Sequence, residues 1–308
     1  MRGTHTILGA GGVIGRELSR ALAAASIPVR QVSRTPEPHA SSDEVRIADL
    51  LDAAAVDSAV KESEVAYLVA GLRYDTAVWR EQWPRIMRNA IDACSRHRCR
   101  LVFFDNVYAF GRVNGPMTEE TPFNPSSRKG EVRAEIATML LGAMRSGAVH
   151  GMIARAADFY GPGAALSMTH SVVFERIRAG KTPQWLGDPN AIHTFTYTPD
   201  AGSAIAKLAQ SPEAFGQSWH VPTGKEPMTG AQFARIACEL AGRPDKLQVA
   251  PRWLLRLMGL FVPVLRENME MMYQFDHAYR FDSSKIERAY GLAATPYRDG
   301  IAATIASA

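Results

Sequence analysis

Short apolar runs alternate along the chain with longer segments in which apolar residues recur every three or four positions. The first run, Thr6-Ile7-Leu8, has the pattern of a strand, and residues 16–22 have the spacing of an amphipathic helix. Further strand-like runs lie at 28–34, 44–47, 65–71 and 100–104, and further helix-like segments lie at 52–61 and 79–95. Repeated strand–helix units predict an α/β fold with a doubly wound parallel sheet and helices on both of its faces.

A glycine-rich turn joins the first strand to the first helix, with the spacing Gly9-x-x-Gly12-x-x-Gly15. Glycines at such a turn allow positive φ angles and let backbone N–H groups approach a pyrophosphate, while the start of the following helix supplies partial positive charge. The turn therefore predicts a dinucleotide site in a Rossmann-type fold. The residues expected to line it are Gly9, Gly11, Gly12, Val13, Ile14 and Gly15.

The second strand bears on the choice of cofactor. Dinucleotide folds commonly place an acid near the end of this strand for the adenosine ribose, and no Asp or Glu stands there. Ser33 and Arg34 instead offer a hydroxyl and a guanidinium, which suit a 2′-phosphate better than a bare 2′-hydroxyl. NADP(H) is therefore favoured over NAD(H). The alternative is that Arg34 is only solvated and that the preference is decided elsewhere.

The second half of the chain has a less regular pattern. Thr229 is the expected N-cap of a helix over 229–241, and the Met and aromatic residues of segment 253–261 indicate core packing. The other predicted elements are helices over 172–178 and 267–275, a strand and turn over 182–188, and a late strand over 219–224. We predict a Rossmann domain over residues 1–165, to which 190–222 returns, and a smaller substrate-binding lobe mainly over 166–308.

Composition excludes several classes of protein. The apolar share of 46%, the charged share of 21% and a net charge of +4 spread along the chain are typical of a globular protein without a nucleic-acid partner. Three cysteines form neither a disulfide framework nor a metal-ligand pattern. The most apolar stretch, 257–265, is far shorter than the roughly 20 residues of a membrane span. We expect a cytoplasmic protein with no bound metal and no membrane partner.

Six segments along about two thirds of the chain, at 9–15, 48–50, 69–72, 106–111, 154–163 and 193–200, together resemble one enzyme family. This is the extended short-chain dehydrogenase/reductase family, which includes sugar-nucleotide epimerases and dehydratases. The resemblance implies that Asp49 and Leu50 contact the adenine. It also implies that Ala70, Gly71 and Leu72 lie along the diphosphate and ribose, and that the segment after Arg155, with Ala156, flanks the nicotinamide.

The chain departs from the family at its proton relay. The family that this chain resembles uses a Ser or Thr and a Tyr-x-x-x-Lys pair, in which the Lys lowers the pKa of the Tyr and holds the nicotinamide ribose. Here Asn106 stands in the Ser/Thr place, Lys129 in the Tyr place and Arg133 in the Lys place, and the chain contains no Tyr-x-x-x-Lys. Lys129 is able to bind the ribose, and the Asn106 amide is able to orient a carbonyl.

If hydride chemistry is kept, another acid is required. Tyr108 is the first candidate for the proton donor, and Tyr74 and Tyr160 are weaker candidates. For each tyrosine the alternative is a role in packing. Asp105 is a further candidate, expected to orient Lys129. The expected substrate-binding residues are Tyr74, Tyr160, His193 and Tyr273, although His193 would serve equally well to satisfy a buried backbone group.

We therefore expect an NADP(H)-dependent oxidoreductase of the atypical extended short-chain type that acts on a small carbonyl or alcohol. A NAD-dependent sugar-nucleotide epimerase or dehydratase and a non-catalytic NADP(H) sensor or scaffold are the alternatives. A homodimer that pairs helices 79–95 and 131–144 in a four-helix bundle is plausible from the resemblance.

Overall fold

The computed structural model describes residues 3–40, 43–250, 267 and 269–307. Its strands are, in chain order, β1 Thr4–Leu8, β2 Val29–Ser33, β3 Glu44–Ile47, β4 Ser63–Leu68, β5 Arg100–Asp105, β6 Pro116–Met117, β7 Gly151–Arg155, β8 Asp158–Tyr160, β9 Gln184–Leu186, β10 Phe195–Tyr197, β11 Ser218–His220, β12 Gln248–Ala250 and β13 Arg280–Phe281. Seven of them form one parallel sheet in the order β11-β7-β5-β4-β1-β2-β3. This is the predicted parallel α/β sheet, which is therefore confirmed.

The helices follow the predicted alternation. They are α1 Val13–Ala24, α2 Ala53–Val60, α3 Thr76–His97, α4 Arg128–Arg145, α5 Glu175–Arg178, α6 Thr198–Ala209, α7 Gly230–Leu240, α8 Tyr273–Asp276, α9 Ser284–Tyr290 and α10 Tyr297–Ala306. Short 3-10 helices lie at Tyr108–Phe110 and Pro212–Ala214, and a π-helix lies at His170–Phe174. Among the helices that the structure describes, none combines the length and the apolar composition needed to cross a membrane.

Side-chain caps fix several helix starts. Asp75 accepts hydrogen bonds from the N–H groups of Ala77 and Val78, so α3 begins at Thr76, three residues before the predicted start. The predicted N-cap Thr229 is confirmed, because its hydroxyl accepts from Gln232 N–H in a reciprocal capping box. Caps are set by single polar side chains, which hydrophobic periodicity does not report.

Other predicted elements differ in extent. The strand predicted over 65–71 ends at Leu68, and the helix predicted over 172–178 is a π-helix followed by the single turn of α5. In the described part of the predicted helix 267–275, a turn at 270–272 precedes α8. The amphipathic segment 253–261 lies outside the described residues.

The chain divides into two compact units. The first unit contains Met1–Ala109, Lys129–Ala156 and Ala201–Val221, and it holds the seven-stranded sheet. The second unit contains Phe110–Arg128, Ala157–Asp200 and Pro222–Ala308. Relative to the predicted domains, 110–128 and 157–165 belong to the second unit, and the return to the first unit begins at 201 rather than 190. The predicted roles of the two parts stay predictions.

Candidate functional site

The glycine turn after β1 forms an open cradle. Gly9 has φ +90°, and a Cβ built there would lie 2.4 Å from Ala70 Cα, so only glycine fits. A Cβ on Gly15 would lie 2.6 Å from Ala10 O, which explains the close approach of α1 to the turn. At Gly11 and Gly12, by contrast, a Cβ would meet nothing within 4 Å. The missing side chains at these two positions leave space that none of the described residues fills.

Helix α1 starts at this cradle without a side-chain cap. Gly12 is its N-cap, no side chain accepts a hydrogen bond from the first turn, and that turn carries no acidic residue. The first N–H groups of an α-helix have no partner within the helix and attract anions. The cradle and the helix start therefore fit the diphosphate of a dinucleotide, with Val13 and Ile14 in the first turn.

The residues expected at the adenosine end lie at the carboxyl ends of neighbouring strands. Ser33 closes β2, and its carbonyl accepts a 2.9 Å hydrogen bond from Ala48 N–H, which joins it to the segment carrying Asp49. Arg34 is exposed directly after Ser33. Asp49 is also exposed, and its Oδ1 accepts from Leu51 N–H at 2.9 Å.

Two further segments border this region. Leu50 is buried, and its carbonyl accepts from Asn89 Nδ2 at 2.9 Å. Ala70, Gly71 and Leu72 follow the end of β4, and a Cβ on Gly71 would meet nothing within 4 Å. The structure thus brings the predicted adenosine and ribose segments to one edge of the sheet, where ligands of such folds bind.

Lys129 is a fully buried lysine near the start of α4. Its Nζ donates a 3.1 Å hydrogen bond to Thr76 Oγ1 and lies 4.6 Å from the centre of the Tyr74 ring. Thr76 opens α3 and Tyr74 precedes it in the loop after β4, so the lysine sits at the carboxyl edge of the sheet. Sequence reasoning missed Thr76, because the signal that identifies it is its contact with a residue 53 positions away.

Asp105, at the end of β5, joins two buried arginines. Its Oδ1 accepts from Arg133 Nε at 2.7 Å, and its Oδ2 accepts from Arg155 Nε at 3.3 Å. The Arg133 guanidinium also lies over the rings of Trp83 and Phe103, 4.6 and 5.0 Å from their centres. Asp105 was expected to orient Lys129, and its hydrogen bonds go instead to arginines, whose planar donors match a carboxylate.

Asn106 and Tyr108 complete this part of the site. Asn106 N–H donates to Asp105 Oδ1 at 2.8 Å, and Asn106 Oδ1 accepts from Tyr108 N–H at 3.0 Å. The Tyr108 ring stacks with that of Trp79, with centres 6.2 Å apart and planes 15° apart. Five predicted residues, Tyr74, Asn106, Tyr108, Lys129 and Arg133, therefore lie within the first unit around the ends of β4 and β5. Ala156 follows β7 beside them, and its N–H donates to Asp105 O at 3.1 Å.

The remaining predicted residues belong to the second unit. His193 is buried, its Nε2 lies 2.8 Å from Asp158 Oδ2, and its ring stacks between those of Phe275 and Tyr279. Tyr160 is buried in an aromatic cluster, and this burial raises the pKa of its hydroxyl. Tyr273 is the first residue of α8 and is partly exposed. Their proposed contacts with substrate stay predictions.

A cavity of about 740 Å³ in the second unit was not anticipated from the sequence. It lies beside the loop after β11, the strand β13 and the helix α9. Arg280 and Arg288 line it, as does Lys225, whose Nζ forms a 2.6 Å ion pair with Glu287. His193, Tyr160 and Tyr273 are not among its lining residues.

Residues 5–221 match the model of the NAD dependent epimerase/dehydratase family. The chain belongs to this family. It is thus an enzyme of the oxidoreductase, epimerase or dehydratase type with a nicotinamide cofactor, and the predicted resemblance is confirmed. The preference for NADP(H) and the homodimer stay predictions.

Two curated relatives illustrate the range of this family. A 3-diazoavenalumate denitrifying reductase of Streptomyces sp is 28% identical over 274 residues, which cover 83% of this chain and 87% of that protein. A dTDP-glucose 4,6-dehydratase of Mycolicibacterium smegmatis is 26% identical over 180 residues, and the match spans 54% of each chain. The chain therefore aligns with only about half the length of this second relative.

Solved structures with the same fold share little sequence. A UDP-N-acetylglucosamine 4-epimerase from Bacillus cereus superposes with a TM-score of 0.79 at 14% identity, covering 98% of this chain and 95% of that one. A dTDP-glucose 4,6-dehydratase from Streptomyces venezuelae, solved with NAD and TYD bound, gives 0.80 at 17% identity, covering 99% and 96%. At these identities the likeness extends to the fold alone.

Proposed function

We propose that this enzyme is an NADP(H)-dependent oxidoreductase that acts on a small carbonyl or alcohol substrate, with Lys129 in the role that a tyrosine has in related enzymes. The observation that supports this proposal most is the arrangement of two cationic side chains, Lys129 and Arg133. Lys129 lies on Thr76 and over Tyr74, whereas Arg133 is turned onto Asp105. The Lys129 ammonium and the Arg133 guanidinium thus have different partners, and only Arg133 of the two binds Asp105.

The bound cofactor supplies or accepts the hydride. Addition of hydride to a carbonyl builds negative charge on its oxygen, and a fixed cation in a water-poor site stabilises that charge. Lys129 Nζ can stabilise the oxygen and pass it a proton, while Thr76 Oγ1 holds the ammonium in place. Asn106 uses its amide oxygen on Tyr108 N–H, which leaves its amide NH₂ to orient the substrate carbonyl.

Arg133 and Asp105 act as positioning residues in this scheme. Asp105 fixes the guanidinium of Arg133 and, through Asn106 N–H, the start of the loop that carries Tyr108. The open cradle at Gly11 and Gly12 fits the cofactor diphosphate, and Arg34 is the residue that would bind the 2′-phosphate.

Turnover tests the proposal directly. Purified protein is mixed with NADPH and a broad panel of aldehydes and ketones, and the absorbance of NADPH is followed. We expect turnover that Lys129→Met lowers about 10²- to 10³-fold in kcat, with a far smaller loss of NADPH affinity. The neighbouring exposed residue gives the control, Arg128→Met, which leaves kcat unchanged. Absence of turnover across the panel would overturn the reductase assignment.

The cofactor preference has its own measurement. Loss of a charge-assisted hydrogen bond costs about 1.5–3 kcal/mol, so Arg34→Ala should weaken NADPH binding roughly 10- to 100-fold by calorimetry and leave NADH binding unchanged. Equal loss for both nucleotides would show that Arg34 does not bind the 2′-phosphate.

A sugar-nucleotide epimerase or dehydratase is the second candidate. It is favoured by the dTDP-glucose 4,6-dehydratase relative and by the fold shared with a UDP-sugar epimerase. This candidate predicts tight retention of NAD rather than NADPH, together with conversion of a nucleotide sugar without net consumption of cofactor. Calorimetry with both dinucleotides separates it from the first proposal.

A further inference from the structure

An array of aromatic rings lies where β4 and β5 end in the first unit. Trp79 and Trp83 on α3 are only 6% and 2% exposed, and they form its buried base. Tyr74 and Tyr108 lie next to Trp79 and stay partly exposed. The two tyrosine rings therefore lie at the carboxyl edge of the sheet, and each contacts Trp79.

Trp79 fixes the orientation of both tyrosines. Its ring stacks on Tyr108 with an interplanar angle of 15°, and Tyr74 meets it edge to face at 5.6 Å and 80°. The indole Nε1 donates a 3.0 Å hydrogen bond to Arg73 O, which holds the tryptophan against the loop that carries Tyr74. Contacts with Trp79 therefore hold both tyrosine rings at defined angles.

The ammonium of Lys129 lies over the Tyr74 ring, 4.6 Å from its centre. A ligand that contacts the exposed parts of the two tyrosine rings therefore lies close to a cation. Aromatic rings and conjugated π-systems gain from offset stacking or edge contacts with tyrosine, beyond what their buried area provides. A carbonyl conjugated to such a ring would place its oxygen toward the ammonium.

We propose that the substrate is a planar aryl or conjugated carbonyl compound, or the corresponding alcohol, that stacks against Tyr74 and Tyr108. This inference rests on the proposed oxidoreductase function. In reduction, hydride from NADPH forms a new C–H bond and the C=O electron pair moves to oxygen. The oxygen takes a proton from Lys129 Nζ, which solvent reprotonates, and NADP⁺ leaves.

The test compares benzaldehyde with cyclohexanecarboxaldehyde, which have the same carbon count but differ in aromaticity. The ratio of their kcat/KM values is measured in the wild type and in four variants, Tyr74→Phe, Tyr74→Leu, Tyr108→Phe and Tyr108→Leu. Each leucine variant should lower the ratio about 3- to 10-fold, because it removes one stacking partner. The phenylalanine variants are matched controls that keep the ring, and they should leave the ratio unchanged.

The ratio also separates stacking from proton transfer. If the hydroxyl of Tyr108 were the proton donor, Tyr108→Phe would lower kcat for both aldehydes equally and leave their ratio unchanged. Leucine variants with the wild-type ratio would overturn the aryl assignment while leaving the oxidoreductase function intact. Absence of turnover for every carbonyl compound would overturn both.

Inhibition of the wild type provides a measurement that needs no variant to fold. Benzoate and cyclohexanecarboxylate carry the same carboxylate for Lys129 and differ only in the ring. We expect benzoate to compete with substrate about 3- to 10-fold more tightly. Equal inhibition constants would contradict the proposal even if a leucine variant failed to fold.

Discussion

Replacement of Asp105 by asparagine would remove the negative charge that two buried arginines share. The Asp105 side chain is 0% exposed, that of Arg133 is 5% exposed and that of Arg155 is 1% exposed. Asparagine keeps nearly the same shape, so the variant changes charge with little change in packing. The two guanidinium groups would then be buried without the carboxylate that binds both.

The expected cost follows from the burial. Breaking a buried ion pair by removing one partner costs about 3–5 kcal/mol, because the remaining charge is left in a poorly solvated site. An exposed ion pair between α3 and α4 gives the control. Glu131 lies 3.2 Å from Arg80, with side chains 60% and 54% exposed, so Glu131→Gln should cost about 1 kcal/mol or less.

Urea denaturation followed by circular dichroism measures the free energy of unfolding of both variants and the wild type, and thermal melts measure their Tm. We expect Asp105→Asn to lower the free energy of unfolding by about 3–5 kcal/mol, and Tm by on the order of 10 °C. A loss no larger than that of Glu131→Gln would refute the reasoning, since it would mean that Arg133 and Arg155 find other solvation at no cost.

Two further predictions concern the glycine turn and a buried tyrosine. Gly9→Ala should cost more than about 2 kcal/mol in thermal melts, because of its positive φ and the contact with Ala70. Gly11→Ala should melt like the wild type yet weaken NADPH binding on the order of tenfold by calorimetry, and equal melting of the two variants would contradict this. Burial raises the pKa of Tyr297 from 10.0 to about 12, so above pH 10 the unfolded chain ionises first and the free energy of unfolding falls, by about 2 kcal/mol at pH 12. Tyr297→Phe should reduce this alkaline fall in the free energy of unfolding by that amount, as measured by urea denaturation at pH 8 and pH 12, and an unchanged fall would exclude Tyr297 as its source.

The predicted fold depended on local signals, and these were sufficient for the sheet. The strand β5 is buried along nearly its whole length, and its residues 101–104 are all apolar, so it stands out in the sequence as a continuous apolar run. The glycine turn could be recognised from the sequence because its spacing, Gly9-x-x-Gly12-x-x-Gly15, lies directly between the patterns of β1 and α1. The assignment of 110–128 to the second unit depends on tertiary contacts, and periodicity does not report those.

The candidate site was only partly predictable for a related reason. The resemblance pointed to Asn106, Lys129 and Arg133, because motif spacing marks such positions along the chain, and their roles stay predictions. It did not find their partners. Arg155 reaches Asp105 across 50 residues and Thr76 reaches Lys129 across 53, and no local pattern encodes such pairs.

These pairings give a physical reason for the residues that we predict at the relay positions. A tyrosine acid needs a neighbouring cation to lower its pKa, and the family pattern supplies a lysine four residues later. With Lys129 in the tyrosine place, the ammonium itself carries the charge, and a second free cation four residues later would repel it. Arg133 instead binds Asp105 at the end of β5, and the carboxylate offsets the repulsion between Arg133 and Lys129 on α4. If Lys129 and Arg133 stand in the Tyr and Lys places, as we predict, Asp105 is the third residue of the arrangement. For the same reason, an Arg133→Lys variant should lower the kcat that depends on Lys129 only to the extent that it weakens the contact between residue 133 and Asp105.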